Sequence, residues 1–163
     1  MALYIKQNHN KEVVQNSYVY KDKFAELTAQ ICEDYAVLPN TNAESTYHND
    51  INRSIVYMSH HINEPLTLSD LASVAKMGFY NYCATFKKVM GTSPWCFFLE
   101  MRVNLAVKLL TDTKTNYKII TISSMCGFNT IANFNKVFRS VTGKTPSEYR
   151  DLKKGMDINE EDS

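Results

Sequence analysis

The sequence of 163 residues has no long hydrophobic run. A helix that crosses a membrane requires about 18 or more consecutive apolar residues. Residues 1–14 also lack the apolar stretch of a signal peptide. We therefore expect a cytoplasmic protein that does not enter the membrane and whose 44% hydrophobic content suffices for an ordinary core.

Cysteine and histidine are too few and too scattered to indicate a metal centre. The chain has four of each, and no two cysteines form a C-x-x-C pair. This pattern indicates neither a zinc site nor a disulfide framework, and we expect no metal and no other cofactor. Because free cysteine behaves as a small buried hydrophobe, we expect unreactive thiols at all four positions, buried at Cys32, Cys96 and Cys126 and half-exposed at Cys83.

Acidic residues are scarce in the middle of the chain. Residues 52–150 contain 12 Lys and Arg but 5 Asp and Glu, which gives them a charge of +7, whereas residues 1–51 and 151–163 each carry −3. The total charge of +1 hides this division. A basic segment with acidic ends favours a nucleic-acid partner more than the total charge does.

Glycine is also rare, and its positions mark turns between short helices. An apolar face over 119–125 predicts one helix, after which Gly127 supplies the permissive backbone of a sharp turn that Phe128 can fill. Asn129 or Thr130 can cap the next helix. The apolar residues of that helix recur at i, i+3, i+4 and i+7 and predict one buried face: Ile131, Phe134, Val137, Phe138 and Val141.

The opposite face of this second helix suits an anionic groove, because it combines hydrogen-bonding and cationic side chains and contains no acid. It comprises Asn133, Asn135, Lys136, Arg139 and Ser140. Gly143 ends the helix, and Pro146 opens a last short helix in which we expect Tyr149 and Leu152 to be turned inward.

The same pattern occurs a second time, 52 residues earlier. The run from Phe86 to Pro94 aligns with the run from Phe138 to Pro146 and preserves the Phe, the basic residue, the Gly and the Pro. Such a repeat is hard to obtain from core patterning alone. Residues 67–70 add the capping box of a helix start.

An apolar helix over 94–110 joins the two copies. Its 17 residues span about 26 Å. When the half-widths of the flanking units are added, the second helix of one copy lies near 34 Å from the second helix of the other, which is about one turn of duplex. Its predicted apolar stripe comprises Trp95, Phe98, Leu99, Val103, Ala106, Val107 and Leu110.

The residues from Gly127 to Arg150, GF-x9-FR-x3-G-x-TPSEYR, resemble the second helix-turn-helix of the AraC/XylS family of bacterial transcription regulators. The resemblance implies an all-α, homeodomain-like fold of seven helices, in which two helix-turn-helix subdomains are joined by a long linker helix. An additional helical segment is expected to precede it.

The resemblance and the repeat together divide the chain. A DNA-binding domain is expected over 51–152, with its parts at 67–91 (first helix-turn-helix), 94–110 (linker helix), 118–143 (second helix-turn-helix) and 146–154 (final helix). Residues 155–163 form an acidic tail. Residues 1–50 combine a helix over 22–38 with a polar linker, and they fit the end of a larger effector domain, a dimerisation element or a helix packed on the domain.

The family contacts DNA bases from the first two turns of each recognition helix. Carried over position by position, this implies base contacts from Tyr80, Asn81, Cys83 and Ala84 in the first copy and from Ile131, Ala132, Asn135 and Lys136 in the second. Lys136 suits guanine, Asn135 suits adenine, and Ile131 suits a thymine methyl group or, equally, the core.

The first copy departs from the family pattern at three positions. The family often has arginine where Ala84 stands, glycine where Lys76 stands and a capping serine where Gly78 stands. The first copy is therefore expected to contact mainly the DNA backbone and methyl groups, or to bind weakly, and to leave specificity to the second copy.

The remaining site residues follow from the same resemblance. Phosphate contacts are expected from Lys87, Lys88, Arg139, Lys144 and Arg150. Structural roles are expected for Gly127, Phe128, Phe86, Phe138, Pro146 and Arg102, the last at the position of the family's linker arginine.

The implied function is a sequence-specific DNA-binding transcription regulator that inserts two recognition helices into successive major grooves. Its expected partners are double-stranded DNA and RNA polymerase, and it could dimerise through the N-terminal segment or a missing upstream domain. One alternative is a protein-interaction module whose degenerate first unit contacts RNA polymerase or another regulator. An AraC-like DNA-repair alkyltransferase is disfavoured, because no cysteine lies in a Pro-Cys-His context, and no enzymatic activity is expected.

Overall fold

Seven helices form the regular structure of the residues that the computed structural model describes, which are 45–112 and 115–152. They are α1 Ser45–His60, α2 Leu68–Val74, α3 Phe79–Met90, α4 Pro94–Thr111, α5 Ile119–Met125, α6 Ile131–Thr142 and α7 at 146–152. Within these residues no strand is present, and the predicted all-α fold with two helix-turn-helix units is confirmed. The helix predicted over 22–38 and the tail at 155–163 lie outside the described residues.

The first helix begins at Ser45, inside the stretch predicted as polar linker. Polar residues such as Asn, Ser and Thr weaken a helix by less than about 1 kcal/mol each, so a helix anchored by the buried Ile51 and Ile55 extends back through them. Asp50 adds an ion pair one turn along, with its Oδ1 3.1 Å from Nη2 of Arg53.

Helices α1, α2 and α3 pack together as the first unit. The predicted capping box of α2 is confirmed: Thr67 Oγ1 accepts from the Asp70 N–H at 3.2 Å, and the Thr67 N–H donates to Asp70 Oδ2 at 2.9 Å. Helix α3 buries Tyr82 and Phe86. The Tyr82 hydroxyl donates to Ser54 Oγ in α1 at 3.1 Å, and burial raises the pKa of Tyr82 to about 12.

Helices α5, α6 and α7 form the second unit around a row of aromatic rings. Ring centroids lie 5.1 Å apart for Phe128 and Phe134, 5.6 Å for Phe134 and Phe138, and 5.6 Å for Phe138 and Tyr149. The inward orientation predicted for Leu152 is wrong, since this side chain is 44% exposed. Helix α7 is held by the buried Pro146 and by Tyr149, which leaves its far end uncovered.

Helix α4 lies between the two units and packs against α3, α5 and α6. Because it is covered from both sides, its buried residues do not form the single stripe that was predicted, and Trp95, assigned to that stripe, is 39% exposed. The buried apolar residues instead surround much of the helix and are Phe97, Phe98, Met101, Val103, Leu105, Ala106, Leu109 and Leu110.

The turns before α3 and before α6 contain left-handed residues at equivalent positions. Lys76 has a φ of 55° and Gly127 a φ of 76°. A left-handed conformation costs a residue with a Cβ roughly 1–2 kcal/mol. The first unit therefore has the same turn conformation as the second unit, although Lys76 stands where a glycine would suit that conformation.

Two of the described cysteines are as buried as predicted, and the buried position predicted for Cys96 is wrong. Of the three that the structure describes, Cys126 is buried, Cys83 is half-buried and Cys96 is exposed near the start of α4. Cys32 lies outside the described residues. No helix within 45–112 or 115–152 is both long and apolar enough to span a lipid bilayer.

Candidate nucleic-acid interface

The exposed face of α6 is polar and free of acidic side chains. Thr130, rather than Asn129, caps the helix, because its Oγ1 accepts from the Asn133 N–H at 3.2 Å. Only two of the predicted stripe residues, Phe134 and Phe138, are fully buried. This narrow core contact leaves most of the helix surface open to a ligand.

All four base-contacting candidates of the second unit lie on that open surface. Ala132, Asn135 and Lys136 are exposed, and Ile131 is 39% exposed. The exposure of Ile131 disfavours the core-packing alternative for this residue. Val141, also assigned to the buried stripe, is 43% exposed at the other end of the helix.

The corresponding surface of α3 is more apolar. Tyr80 is 87% exposed, Asn81 and Ala84 are exposed, and Cys83 is half-buried. Thr85 Oγ1 donates to Asn81 Oδ1 at 3.4 Å, which leaves the amide nitrogen of Asn81 as its outward donor.

Phe79, which was not among the predicted base-contacting residues, also belongs to this surface. It is 42% exposed, and its ring meets that of Tyr80 edge to face with centroids 5.4 Å apart. A phenylalanine at a helix start is normally assigned to the core. The one sequence signal that could have indicated its exposure is its position directly after Gly78, which precedes the helix without a side-chain cap.

Four of the five phosphate candidates, Lys87, Lys88, Arg139 and Lys144, are exposed near the C-terminal ends of α3 and α6. Arg150 is different. It is half-buried, and its Nη2 donates to the backbone carbonyl of Tyr117 at 2.6 Å, so part of its guanidinium is used to join α7 to the segment before α5.

A shallow groove next to Arg139 mixes charges of both signs. Its lining residues are Arg139, Gly143, Lys144, Glu148, Asp151 and Leu152. The backbone N–H and hydroxyl of Thr145 both donate to Glu148 Oε2 at 2.8 Å and hold the pKa of Glu148 below its usual value, helped by the charges of Arg139 and Lys144. The positive charges of Arg139 and Lys144 are thus partly balanced by Glu148 on the side of α6 next to α7.

The structural candidates lie inside the molecule. Phe86 and Phe138 occupy equivalent core positions in α3 and α6, and Pro146 and Phe128 are also buried. Arg102 is 5% exposed and lies between the two units. Gly127 lies against it, since a Cβ at this glycine would be 2.8 Å from Arg102 Nη2.

The described residues contain no group of three His, Cys, Asp or Glu side chains that could hold a metal ion. Burial raises the pKa of the Cys126 thiol well above its usual range, which keeps it protonated and unreactive at neutral pH. The exposed cationic and hydrogen-bonding side chains of α6 suit an anionic partner.

Comparisons with known proteins agree with this geometry. A family model described as a helix-turn-helix domain matches residues 71–152. The transcriptional regulator ArgR of Pseudomonas aeruginosa is 27% identical over 146 residues, which are 83% of this chain and 44% of ArgR. The bifunctional transcriptional activator and DNA repair enzyme AdaA of Bacillus subtilis is 32% identical over 98 residues, covering 60% of this chain and 46% of AdaA.

Among solved structures, a transcriptional regulator from Chromobacterium violaceum with an AraC-type DNA-binding domain superposes with a TM-score of 0.60. It is 29% identical, and the match covers 65% of this chain and 93% of that one. The match spans less than half of the length of these curated relatives.

Proposed function

Because the chain belongs to the AraC-type family of helix-turn-helix proteins, we propose that it is a sequence-specific DNA-binding transcription regulator that inserts α3 and α6 into successive major grooves. The observation that carries this proposal is the pair of equivalent helices, each exposed on a face without acidic residues and each packed against α4. Two such surfaces on one chain suit an asymmetric duplex site.

In the second unit, α6 offers direct hydrogen bonds to bases. Lys136 donates to guanine O6 or N7, and Asn135 pairs with adenine, while Ile131 and Ala132 contact thymine methyl groups. Each well-formed bidentate pair is worth about 1–3 kcal/mol of discrimination. We therefore assign most of the sequence specificity to this unit.

In the first unit, α3 carries no charged donor in its first two turns. Tyr80, Cys83 and Ala84 suit thymine methyl groups and sugars, and Asn81 has its amide nitrogen available. We propose that this half-site is rich in A·T pairs and contributes less to discrimination than the half-site bound by α6.

Phosphate contacts hold both helices in register. Lys87, Lys88, Arg139 and Lys144 are exposed near the ends of the recognition helices, where the duplex backbone passes a helix in the major groove. For Arg150 a structural role is favoured by its bond to Tyr117.

We further propose that the chain itself is not an enzyme. Its relative AdaA is named as a DNA repair enzyme as well as an activator, but the match covers 46% of AdaA. In this sequence no cysteine has proline before it or histidine after it, and burial raises the pKa of the Cys126 thiol by more than the charge of Arg102 lowers it.

Selection of bound duplexes from a random pool, followed by sequencing, tests the function. A bipartite motif with centres about 10 base pairs apart is expected, with one A·T-rich half. No enrichment together with no salt-dependent binding in fluorescence anisotropy would overturn the proposal and favour the interaction module.

Two variants that each remove one lysine separate base from phosphate contacts. Lys136→Ala should weaken binding to the selected site by about 10-fold or more and relax the preference at one guanine. Lys144→Ala should weaken selected and scrambled duplexes by the same factor. Equal loss on both duplexes for Lys136→Ala would contradict the assigned base contact.

A further inference from the structure

The guanidinium of Arg102, in the middle of α4, is bound by backbone of the first unit. Its Nε donates to the Ile62 carbonyl at 2.8 Å, and its Nη2 donates to the Glu64 carbonyl at 2.7 Å. Both acceptors lie in the loop between α1 and α2. Arg102 thereby ties the linker helix to a fixed point of the first unit.

The other side of the same guanidinium contacts the second unit. Arg102 Cζ lies 5.8 Å from the ring centroid of Phe128, which follows Gly127 in the α5–α6 turn, and 4.3 Å from that of Phe98 in α4 itself. A Cβ at Gly127 would lie 2.8 Å from Nη2, 2.9 Å from Cζ and 2.7 Å from the Ile62 carbonyl oxygen. The two turns and the guanidinium thus meet at one point.

This meeting point is special because the more extensive helix-to-helix contacts within the described residues either stay inside one unit or involve α4. The contact between the 62–64 loop and the 127–128 turn thus links the two units directly, in addition to their packing on α4. The described neighbours of Arg102 there are carbonyl dipoles, aromatic faces and the Cys126 thiol. Burial lowers the pKa of Arg102 to about 10, which still leaves it charged at neutral pH.

We propose that Arg102 is a positioning residue that fixes the orientation of α6 relative to α3 and so determines which half-site spacing the protein accepts. This inference rests on the proposed DNA-binding function. With recognition helices about 34 Å apart and the joint about midway between them, a rotation of about 10° at the joint displaces one helix by about 3 Å, which is close to one base-pair step.

Binding to sites of altered spacing tests the proposal. Starting from the selected bipartite site, one base pair is inserted between the halves, and the affinity of each protein for both duplexes is measured by anisotropy. The original chain should lose at least 10-fold on insertion. Arg102→Lys, which keeps the charge but not the two-pronged geometry, should lose less than about 3-fold, with unchanged affinity for a single half-site.

Leu109→Ala serves as the matched control, because Leu109 is buried in the same helix but is not bonded to either turn. At a temperature where Leu109→Ala is folded, insertion of one base pair should lower its affinity by the same factor as it lowers the affinity of the original chain. This factor is called the spacing penalty. A full penalty in Arg102→Lys would overturn the proposal, as would an equal reduction of the penalty in Leu109→Ala, which would indicate general loosening.

A readout without DNA separates failure of this proposal from failure of the function. Nitroxide labels are attached through Lys88→Cys and Ser140→Cys, both at exposed positions of α3 and α6, after Cys32, Cys83 and Cys96 are changed to serine. The distance distribution should be narrow with Arg102 and clearly broader with Arg102→Lys. Identical distance distributions with Arg102 and with Arg102→Lys would disprove the positioning role of Arg102, even if the chain bound no duplex.

Discussion

At the scale of single residues, Lys76 is held in a conformation that suits glycine. Its φ of 55° is positive, and the equivalent position in the second unit is Gly127. We expect Lys76→Gly to raise the free energy of unfolding by on the order of 1 kcal/mol, since relief of the left-handed strain exceeds the entropy cost of glycine. Urea denaturation measures this. Lys76→Ala keeps the Cβ and should not raise the free energy of unfolding. If Lys76→Ala stabilises the protein as much as Lys76→Gly does, relief of left-handed strain is not the cause.

Gly127 has a second reason to be glycine that the other left-handed glycines lack. A Cβ at Gly127 would come within 2.7 Å of the Ile62 carbonyl oxygen, whereas nothing lies within 4 Å of a Cβ at Gly143, which has nearly the same φ. Gly143→Ala should cost roughly 1–2 kcal/mol from strain alone. Gly127→Ala should cost on the order of 3 kcal/mol, because overpacking is added. Equal costs in thermal unfolding would disprove the crowding.

The sequence allowed the turn at Gly127 to be predicted, because a glycine between two helical patterns is typical of a sharp inter-helix turn. It did not allow the contact of this turn with Arg102 and Ile62 to be predicted, since these residues are far apart in the chain and no local pattern links them. The exposure of Phe79 and Val141 was hidden for a similar reason, as an apolar residue at helical spacing is normally assigned to the core.

At the scale of helices, α3 and α6 begin differently. Thr130 caps α6, whereas Gly78 offers α3 no side-chain acceptor, although its φ of −65° is ordinary and nothing lies within 4 Å of a Cβ built on it. We expect Gly78→Ser to add a cap and raise the free energy of unfolding by about 0.5–1 kcal/mol. Gly78→Ala, which adds no acceptor, should gain less in the same chemical denaturation experiment. No difference between the two would mean that no cap forms.

Thr145 and Glu148 form a capping box at the start of α7, since the Glu148 N–H donates to Thr145 Oγ1 at 3.3 Å while Glu148 accepts from the Thr145 N–H. This box should make the free energy of unfolding depend on pH in the acidic range. Glu148 has a lowered pKa in the folded state because it accepts hydrogen bonds from Thr145, so its contribution is complete above the ordinary value of 4.5 and is lost as the pH falls below it. The stability difference between the original chain and Glu148→Ala should be largest at neutral pH and shrink below pH 4.5. Ser147→Ala should show no such trend, and a pH-independent difference for Glu148→Ala would contradict the box.

The existence and order of these helices followed from periodicity, glycines and capping residues such as Thr67. Their ends and their buried faces followed less well. Helix α1 starts earlier than predicted because packing of Ile51 and Ile55 outweighs the weak propensity of the residues before them. Helix α4 shows no single stripe because two units cover it, and a stripe is the signature of a helix packed on one side.

At the scale of the whole molecule, the basic middle segment should make DNA affinity fall with salt. Each phosphate neutralised contributes about −0.9 to the slope of log K against log salt concentration. Lys88→Ala, at an exposed position near the end of α3, should therefore reduce the magnitude of the slope by about 1. Ser140→Ala, also exposed but uncharged, should leave it unchanged. An unaltered slope in Lys88→Ala would remove this lysine from the phosphate contacts.

The partners of Arg102 have a consequence for how such a protein behaves under osmotic stress. Mobile ions weaken exposed charge pairs with phosphate, but they have little access to a buried guanidinium bonded to backbone carbonyls. When the salt content of a cell rises, the protein should dissociate from its sites more readily while the length of the site it prefers stays constant. Ionic conditions then change how much of the DNA is occupied but not the half-site spacing that Arg102 is proposed to set.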